Sequence, residues 1–314
     1  MMQTNLVQIT KSDVLQYQSV ALPALGPQDV LIYQHAIGVN YLDVFFRNGT
    51  FPVNTYPAPI GVEAAGIIEQ VGSEVKNFTP GDRVAYYGPL GAYAEKRILH
   101  ENEVFRLPDD ISFEQAAAVM VKGLTAHMLL KSSYEVKAGD VVLIHAMTGG
   151  VGSILSAWAR ALSATIIGTV GSGAKKALAL QRGFEHVIDL QTEEMVDQVD
   201  VVYDGTGKDT FYKSLELVKP GGTAVLYGWP SGMPEIDQAW MAERNIHFTA
   251  AVLNNYPAYQ DKSGQALNEI FDLIRKGILR INPAVYDLSD AAQAHKDLES
   301  RKTTGSIILK CLPA

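Results

Sequence analysis

The segment Val141-Val142-Leu143-Ile144-His145 runs straight into Ala146-Met147-Thr148-Gly149-Gly150-Val151-Gly152-Ser153, and it constrains the fold more than any other part of this chain. A short, continuous apolar run is the pattern of a strand buried on both faces. A parallel sheet buried in that way needs helices to cover it. The residues that follow supply them. Residues 153–162 read as a helix, 164–170 as an apolar strand, 174–182 as a helix, and 186–189 and 200–203 as strands. Then 211–218 reads as a helix, 222–227 as a strand and 265–276 as another helix. Strands and helices alternating through short turns give βαβ units and a doubly wound parallel sheet.

The first 120 residues have a different rhythm. Short strand candidates, 30–39 and 64–71 among them, are separated by Pro52, Pro57, Pro59, Gly61, Gly66, Gly72, Pro80 and Gly81, the punctuation of a small, irregular β domain. Residues 113–130 are Ala-rich and helical in character, with Ser112 as N-cap before Glu114-Gln115. Near the end, 290–299 reads as a helix and 306–310 as a strand. That last strand has no place in a parallel core and is expected to return to the first domain. The expected division is a β domain of 1–121 and 280–314 and an α/β domain of 122–279.

Composition narrows the function. Hydrophobic residues make up 47% of the 314 and charged residues 19%, which is globular rather than disordered. Lys and Arg number 26 against 34 Asp and Glu, a formal charge of −8, so neither nucleic acid nor an anionic membrane is an expected partner. The single cysteine, Cys311, cannot form an intrachain disulfide or a cysteine-based zinc site. No basic segment precedes an apolar one at the start, and no apolar run approaches the roughly 18 residues of a membrane span. A cytoplasmic, reducing compartment is the expectation.

The glycine loop specifies chemistry. Consecutive glycines let the backbone turn tightly and approach a pyrophosphate, and the helix that follows offers free N–H groups and a positive dipole end. Thr148, Gly149, Gly150, Val151 and Gly152 are therefore candidate cofactor-binding residues of a Rossmann domain. The spacing departs from a full G-x-G-x-x-G because Leu155 stands where the third glycine would fall. The strand before and the helix after carry the assignment. An NAD site places Asp or Glu about 20 residues further on. Here the region is Gly168-Thr169-Val170-Gly171-Ser172-Gly173-Ala174-Lys175-Lys176, with no acid. Lysines in the first turn of a helix oppose its dipole, and a bound 2′-phosphate relieves that conflict. Gly171, Ser172 and Lys175 are accordingly candidates for NADPH, while Lys176 is read as solvated.

Several further segments are Gly38-Val39-Asn40-Tyr41-Leu42-Asp43, Gly61-Val62-Glu63-Ala64-Ala65-Gly66, Gly81-Asp82-Arg83-Val84 and Gly91-Ala92-Tyr93-Ala94-Glu95. Lys122-Gly123-Leu124-Thr125-Ala126, the glycine loop and Glu299-Ser300-Arg301 with Gly305 complete the set. Together they resemble the medium-chain dehydrogenase/reductase superfamily. Within it they are similar to the zinc-free NADPH:quinone oxidoreductases, the ζ-crystallin-like branch, over essentially the whole chain. The resemblance implies an α/β protein with a GroES-like β domain and a Rossmann domain, assembled as a homodimer. Zinc alcohol dehydrogenases of this superfamily carry a ligand Cys where Asn40 stands and a His where Val62 precedes Glu63, so no zinc is expected.

The resemblance also assigns roles. Asn40 and Tyr41 would line the nicotinamide cleft and are the candidate catalytic residues, with Asn40 also bordering the cofactor. Read locally, Asn40 is an N-cap and Asp43 the N3 residue of a short helix through Arg47, and the two readings are compatible. Thr125 would lie near the nicotinamide ribose and phosphate. Tyr227 and Gly228 follow a strand at its cofactor-binding end. Leu253 and Asn254 follow another and would wall the nicotinamide amide. Arg301 would reach the 2′-phosphate, though it also suits a helix C-terminus. Leu190 departs from the branch, which often has Tyr there, so one phosphate contact is lost. The expected activity is NADPH-dependent reduction of quinones. Its alternatives are a zinc-free enone, 2-alkenal or enoyl-thioester reductase, and a non-catalytic NADPH-binding or RNA-binding protein.

Overall fold

The computed structural model describes residues 2–195, 198–256 and 264–311. The chain up to Val121 and again from Ile281 forms one compact unit, and most of the chain between Lys122 and Arg280 forms another. The first unit begins with β1 (Gln3–Lys11), β2 (Val14–Ala21) and β3 (Asp29–Val39), followed by α1 (Tyr41–Arg47). Then come β4 (Ala58–Pro59), β5 (Glu63–Val71), β6 (Arg83–Tyr87), β7 (Lys96–His100) and β8 (Val104–Arg106). β1 lies antiparallel between β2 and β4. β3 pairs antiparallel with β5 and with β7, and β6 lies between β5 and β8. Ile9, Ile32, Ile37 and Ile68 of these strands form one fully buried core with Ile60. Each such side chain contributes roughly 1.5–3 kcal/mol through burial.

The helix α2 (Phe113–Met128) starts as expected: the Ser112 hydroxyl accepts from the Gln115 N–H at 3.1 Å, and the Gln115 side-chain oxygen accepts from the Ser112 N–H at 3.0 Å. This is the reciprocal capping box. It ends two residues early. Residues Leu129–Ser133 form a wider π-type turn, and the Tyr203 hydroxyl donates to the Leu129 carbonyl at 2.9 Å. The apolar character of Leu129 and Leu130 reflects burial, not continued α-helix.

The second unit follows as β9 (Val141–Ile144), α3 (Gly150–Ala161), β10 (Thr165–Val170), α4 (Gly173–Gln181), β11 (His186–Asp189) and β12 (Val199–Asp204). After these come α5 (Phe211–Leu215), β13 (Val218–Leu226), α6 (Gln238–Glu243), β14 (His247–Ala250) and α7 (Gln265–Arg275). The sheet order is β11-β10-β9-β12-β13-β14, and every pairing is parallel. The chain runs outward from β9 to one edge and then restarts at β12, so the order reverses between β9 and β12, the doubly wound arrangement. Two boundaries differ from expectation. α3 begins at Gly150, three residues before the better helix formers. β13 begins at Val218, where the sequence suggests a helix end: Lys219-Pro220-Gly221 reads as a turn, yet Val199 pairs with Val218 before the register shifts to Val201 with Thr223.

Back in the first unit, β15 (Ala284–Asp287) and α8 (Ala291–Glu299) lead to β16 (Ile307–Lys310). β16 lies parallel to β15 and antiparallel to β3, with Ile307 opposite Val39. The last strand therefore does return to the first unit's sheet, beside the end of β3 where Asn40 emerges. No helix among the described residues is long and apolar enough to cross a membrane.

Candidate functional site

In the second unit, β9 delivers the chain to His145, which is fully buried. The Ser214 hydroxyl donates to the Thr210 carbonyl at 2.9 Å, so it accepts from His145 Nε2–H at 2.5 Å. That leaves Nδ1 to accept from the Thr169 hydroxyl at 2.8 Å. Burial holds His145 below the usual histidine pKa despite Asp204 nearby, so the ring is neutral. This cross-brace ties the ends of β9 and β10 to α5. Ala146 then turns through a left-handed conformation, with φ of 50°. Its carbonyl accepts from the Gly149 N–H at 2.8 Å, and a Cβ on Gly152 would collide with that same carbonyl. Gly152 is thus required by a close backbone approach. The N-cap of α3 is Gly149, which offers no side chain to the first turn. The opening N–H groups of a helix have no partner within it. Here they converge on an uncapped terminus that suits a pyrophosphate.

The neighbouring strand leads to the second part of the site. Gly171 is exposed, and a Cβ there would meet nothing within 4 Å. Ser172 caps α4, accepting from the Lys175 N–H at 3.4 Å. Lys176 is held by Glu193 at 2.5 and 2.6 Å, whereas the sequence reads it as solvated. That ammonium keeps the Glu193 carboxyl below the ordinary range. Leu190, in the place where the related branch often has Tyr, is 39% exposed. Tyr227 and Gly228 follow β13: the Tyr227 N–H donates to the Asp204 carbonyl at 2.9 Å, and its ring lies where a Cβ of Gly205 would be. Burial and Asp204 push the Tyr227 hydroxyl well up. Leu253 and Asn254 sit in the 3-10 turn Leu253–Asn255 after β14. Because all six strands are parallel, the glycine loop, Gly171 to Lys175, Tyr227–Gly228 and Leu253–Asn254 share one edge of the sheet. Thr125 is buried in α2. The fold and the uncapped glycine turn fit a dinucleotide.

In the first unit, β3 ends at Val39, and Asn40 is the N-cap of α1, as its local sequence suggests. Its backbone N–H donates to Asp43 Oδ2 at 2.8 Å, and its side-chain Nδ2 donates to Glu63 Oε1 at 2.7 Å. The other Glu63 oxygen accepts from the Val121 N–H at 2.7 Å. A Cβ on Gly38 would strike both the Glu63 carboxylate and the Ala117 carbonyl, so glycine is needed for this approach. Asp43 is buried and braced further: the Tyr93 hydroxyl donates to Asp43 Oδ2 at 3.0 Å and therefore accepts from His295 Nε2–H at 3.0 Å. Burial drives the His295 pKa down to about 3 and the Tyr93 hydroxyl well up, so both are neutral. Arg47, at the other end of α1, binds Asp13 at 2.9 Å and Glu299 at 2.8 Å. Tyr41 packs its ring edge-on against Phe45, and burial raises its hydroxyl pKa. Arg301 is exposed just past α8, with φ of 56°.

The local sequence pairs Asn40 with Asp43 and does not reveal its contact with Glu63. Glu63 and Tyr93 are marked only by the motifs they lie in, and His295 carries no signal beyond residue type. Among the described residues, no group of three or more His, Cys, Asp or Glu is arranged to hold a metal ion.

Comparison with known proteins agrees with both units. The family model described as "Alcohol dehydrogenase GroES-like domain" matches residues 26–109, and the model described as "Zinc-binding dehydrogenase" matches residues 182–309. A quinone oxidoreductase of Pseudomonas aeruginosa is 41% identical over 310 residues, covering 95% of each chain. A 2-haloacrylate reductase of a Burkholderia species is 36% identical over 316 residues, again covering 95% of each. A crystal structure of Escherichia coli quinone oxidoreductase complexed with NADPH superposes with a TM-score of 0.92 at 36% identity, covering 98% of this chain and 99% of that one. A GroES-like unit, a doubly wound sheet with an uncapped glycine turn, and identity at this level across nearly the whole length place the chain plainly: it belongs to the quinone oxidoreductase family of the medium-chain dehydrogenase/reductase superfamily.

Proposed function

We propose that this protein reduces quinones with NADPH. The observation that carries the reading is the 41% identity to a named quinone oxidoreductase over 95% of both chains. The NADPH bound in the Escherichia coli relative supports the choice of cofactor. When bound, NADPH supplies a hydride to the acceptor. In this reading the N–H groups of Gly150, Val151 and Gly152 hold the pyrophosphate, with Thr148 and Gly149 shaping the turn. Gly171 leaves room for the adenosine ribose, Ser172 and Lys175 meet the 2′-phosphate, and Arg301 adds a further cation. Thr125, Tyr227, Gly228, Leu253 and Asn254 flank the nicotinamide half. Asn40 and Tyr41 face the acceptor, where Asn40 donates a hydrogen bond to a carbonyl oxygen as negative charge develops. The second proton that completes the hydroquinone comes from solvent.

The reaction is proposed to run without zinc. Asn40 is engaged with Glu63 where relatives that use zinc place a cysteine, and Val62 is apolar and buried. A quinone needs less electrophilic help than an aldehyde does. A cytoplasmic setting is proposed from the single cysteine, and a homodimer through an edge of the six-stranded sheet, whose outer strands among the described residues are β11 and β14. A second reading, reduction of an activated alkene, is favoured by the 36% identity to a 2-haloacrylate reductase. Steady-state rates with 1,4-benzoquinone, naphthoquinones, a 2-alkenal and an enoyl-thioester separate the two. Quinone turnover with NADPH is expected, and alkene turnover alone would overturn the first reading in favour of the second.

A further inference from the structure

The carboxylate of Glu63 is fully buried, and burying a charge costs several kcal/mol unless hydrogen bonds compensate. The chain gives up a side chain at Gly38 to make room for it. The two oxygens divide their work, Oε1 taking the Asn40 side-chain N–H and Oε2 the Val121 N–H. Anchoring a backbone N–H alone needs only a neutral acceptor. Here two donors approach two different oxygens, which a carboxyl group serves with an acceptor on each side and an amide does not. This also settles which way the Asn40 amide points. Reversed, its carbonyl oxygen would face the Glu63 carboxylate, acceptor against acceptor. The nitrogen therefore faces Glu63 with one hydrogen, and its second hydrogen remains as a donor.

Resting on the reading of this protein as a quinone reductase, we infer that Glu63 is a positioning residue for catalysis: it locks the Asn40 amide so that the remaining N–H is presented to the carbonyl oxygen of the hydride acceptor. Asp43 fixes the same residue from its backbone side. Asn40 is thus held by two elements, its side-chain amide by Glu63 of β5 and its backbone N–H by Asp43 of α1. A donor held before the reaction begins needs no reorganisation as charge develops on the acceptor oxygen.

The test compares wild type, Glu63→Gln, Asn40→Ala and the double variant, with NADPH and 1,4-benzoquinone. A glutamine side chain in place of Glu63 can accept from only one of the two donors, so the amide loses its lock. Glu63→Gln is expected to lower kcat about tenfold, the scale of one hydrogen bond, while the KM for NADPH stays within about twofold. Added to Asn40→Ala it should lower kcat no further, because the only route from Glu63 to the acceptor is then gone. A second readout is independent of turnover: the Asn40 side-chain 15N–1H signal, identified by its loss in Asn40→Ala. It should lie downfield in wild type and return toward the ordinary amide range in Glu63→Gln. Unchanged kcat in Glu63→Gln, losses that add in the double variant, or a signal that does not move would each overturn the proposal. If Glu63→Gln does not fold, Asn40→Gln, whose amide is displaced by one methylene, should show the same kcat loss at unchanged KM for NADPH; full kcat there would overturn it. A wild-type protein that turns over no quinone overturns the underlying reading, and with it this one, before any variant is compared.

Discussion

At the residue scale, the proposed preference for NADPH rests on Lys175 and Arg301. Lys176 pairs with Glu193, and Lys175 lies in the first turn of α4 beside the Ser172 cap, where the 2′-phosphate contact is proposed. Lys175→Ala is expected to raise the KM for NADPH about tenfold, one charge-assisted hydrogen bond, and to leave the KM for NADH unchanged. Equal effects on the two nucleotides would remove Lys175 from that role. Some of this site is legible in the sequence and some is not. Asn40, Ser172 and the glycines declare themselves because capping and tight turns are local chemistry, written within a few residues. Glu63, Tyr93 and His295 act on Asn40 and Asp43 from distant parts of the chain, and a single sequence carries no record of which side chains meet. The pairing of Lys176 with Glu193 is hidden for the same reason.

At the element scale, the parallel strands are readable because burial on both faces makes them continuous apolar runs. Strand β13 and helix α3 start earlier than their sequences suggest, since Pro220, Gly221 and the glycine loop break local propensity while tertiary pairing overrides it. The glycines at the turns after β9 and β10 differ in purpose. Gly152 is fixed by the Ala146 carbonyl, so any side chain there disturbs the turn itself. Gly171 has open space around its missing Cβ. Gly171→Val should therefore leave thermal stability close to wild type yet weaken NADPH binding at least about tenfold, because its side chain occupies room the nucleotide needs. Fluorescence titration with NADPH and a melting curve check this together. A normal titration would show that the turn after β10 does not meet the cofactor.

At the scale of the whole molecule, the buried histidines contribute to acid sensitivity. His145 and His295 are neutral in the folded protein, and His127 and His35 are shifted in the same direction by burial. An unfolded histidine titrates near pH 6.5. Below that value the unfolded chain takes up protons that folded His295 refuses until about pH 3. Stability is therefore fully present above about pH 6.5 and falls as the pH is lowered toward 3, at up to about 1.4 kcal/mol per pH unit for each such group. Urea unfolding at a series of pH values reads the slope, and His295→Asn should flatten it by one group. A stability that stays level from pH 6.5 to 4.5 would show that these rings are charged in the folded state.

The family relationship, the uncapped glycine turn and the lysine after β10 lead to a single reaction, transfer of hydride from NADPH to a quinone. It is tested most directly by following NADPH oxidation by purified protein with and without 1,4-benzoquinone, alongside the same assay with NADH. Quinone-dependent oxidation of NADPH is expected, with kcat/KM at least about tenfold above that for NADH, the scale of one charge-assisted contact to the 2′-phosphate. No quinone-dependent oxidation, or a clear preference for NADH, would contradict it.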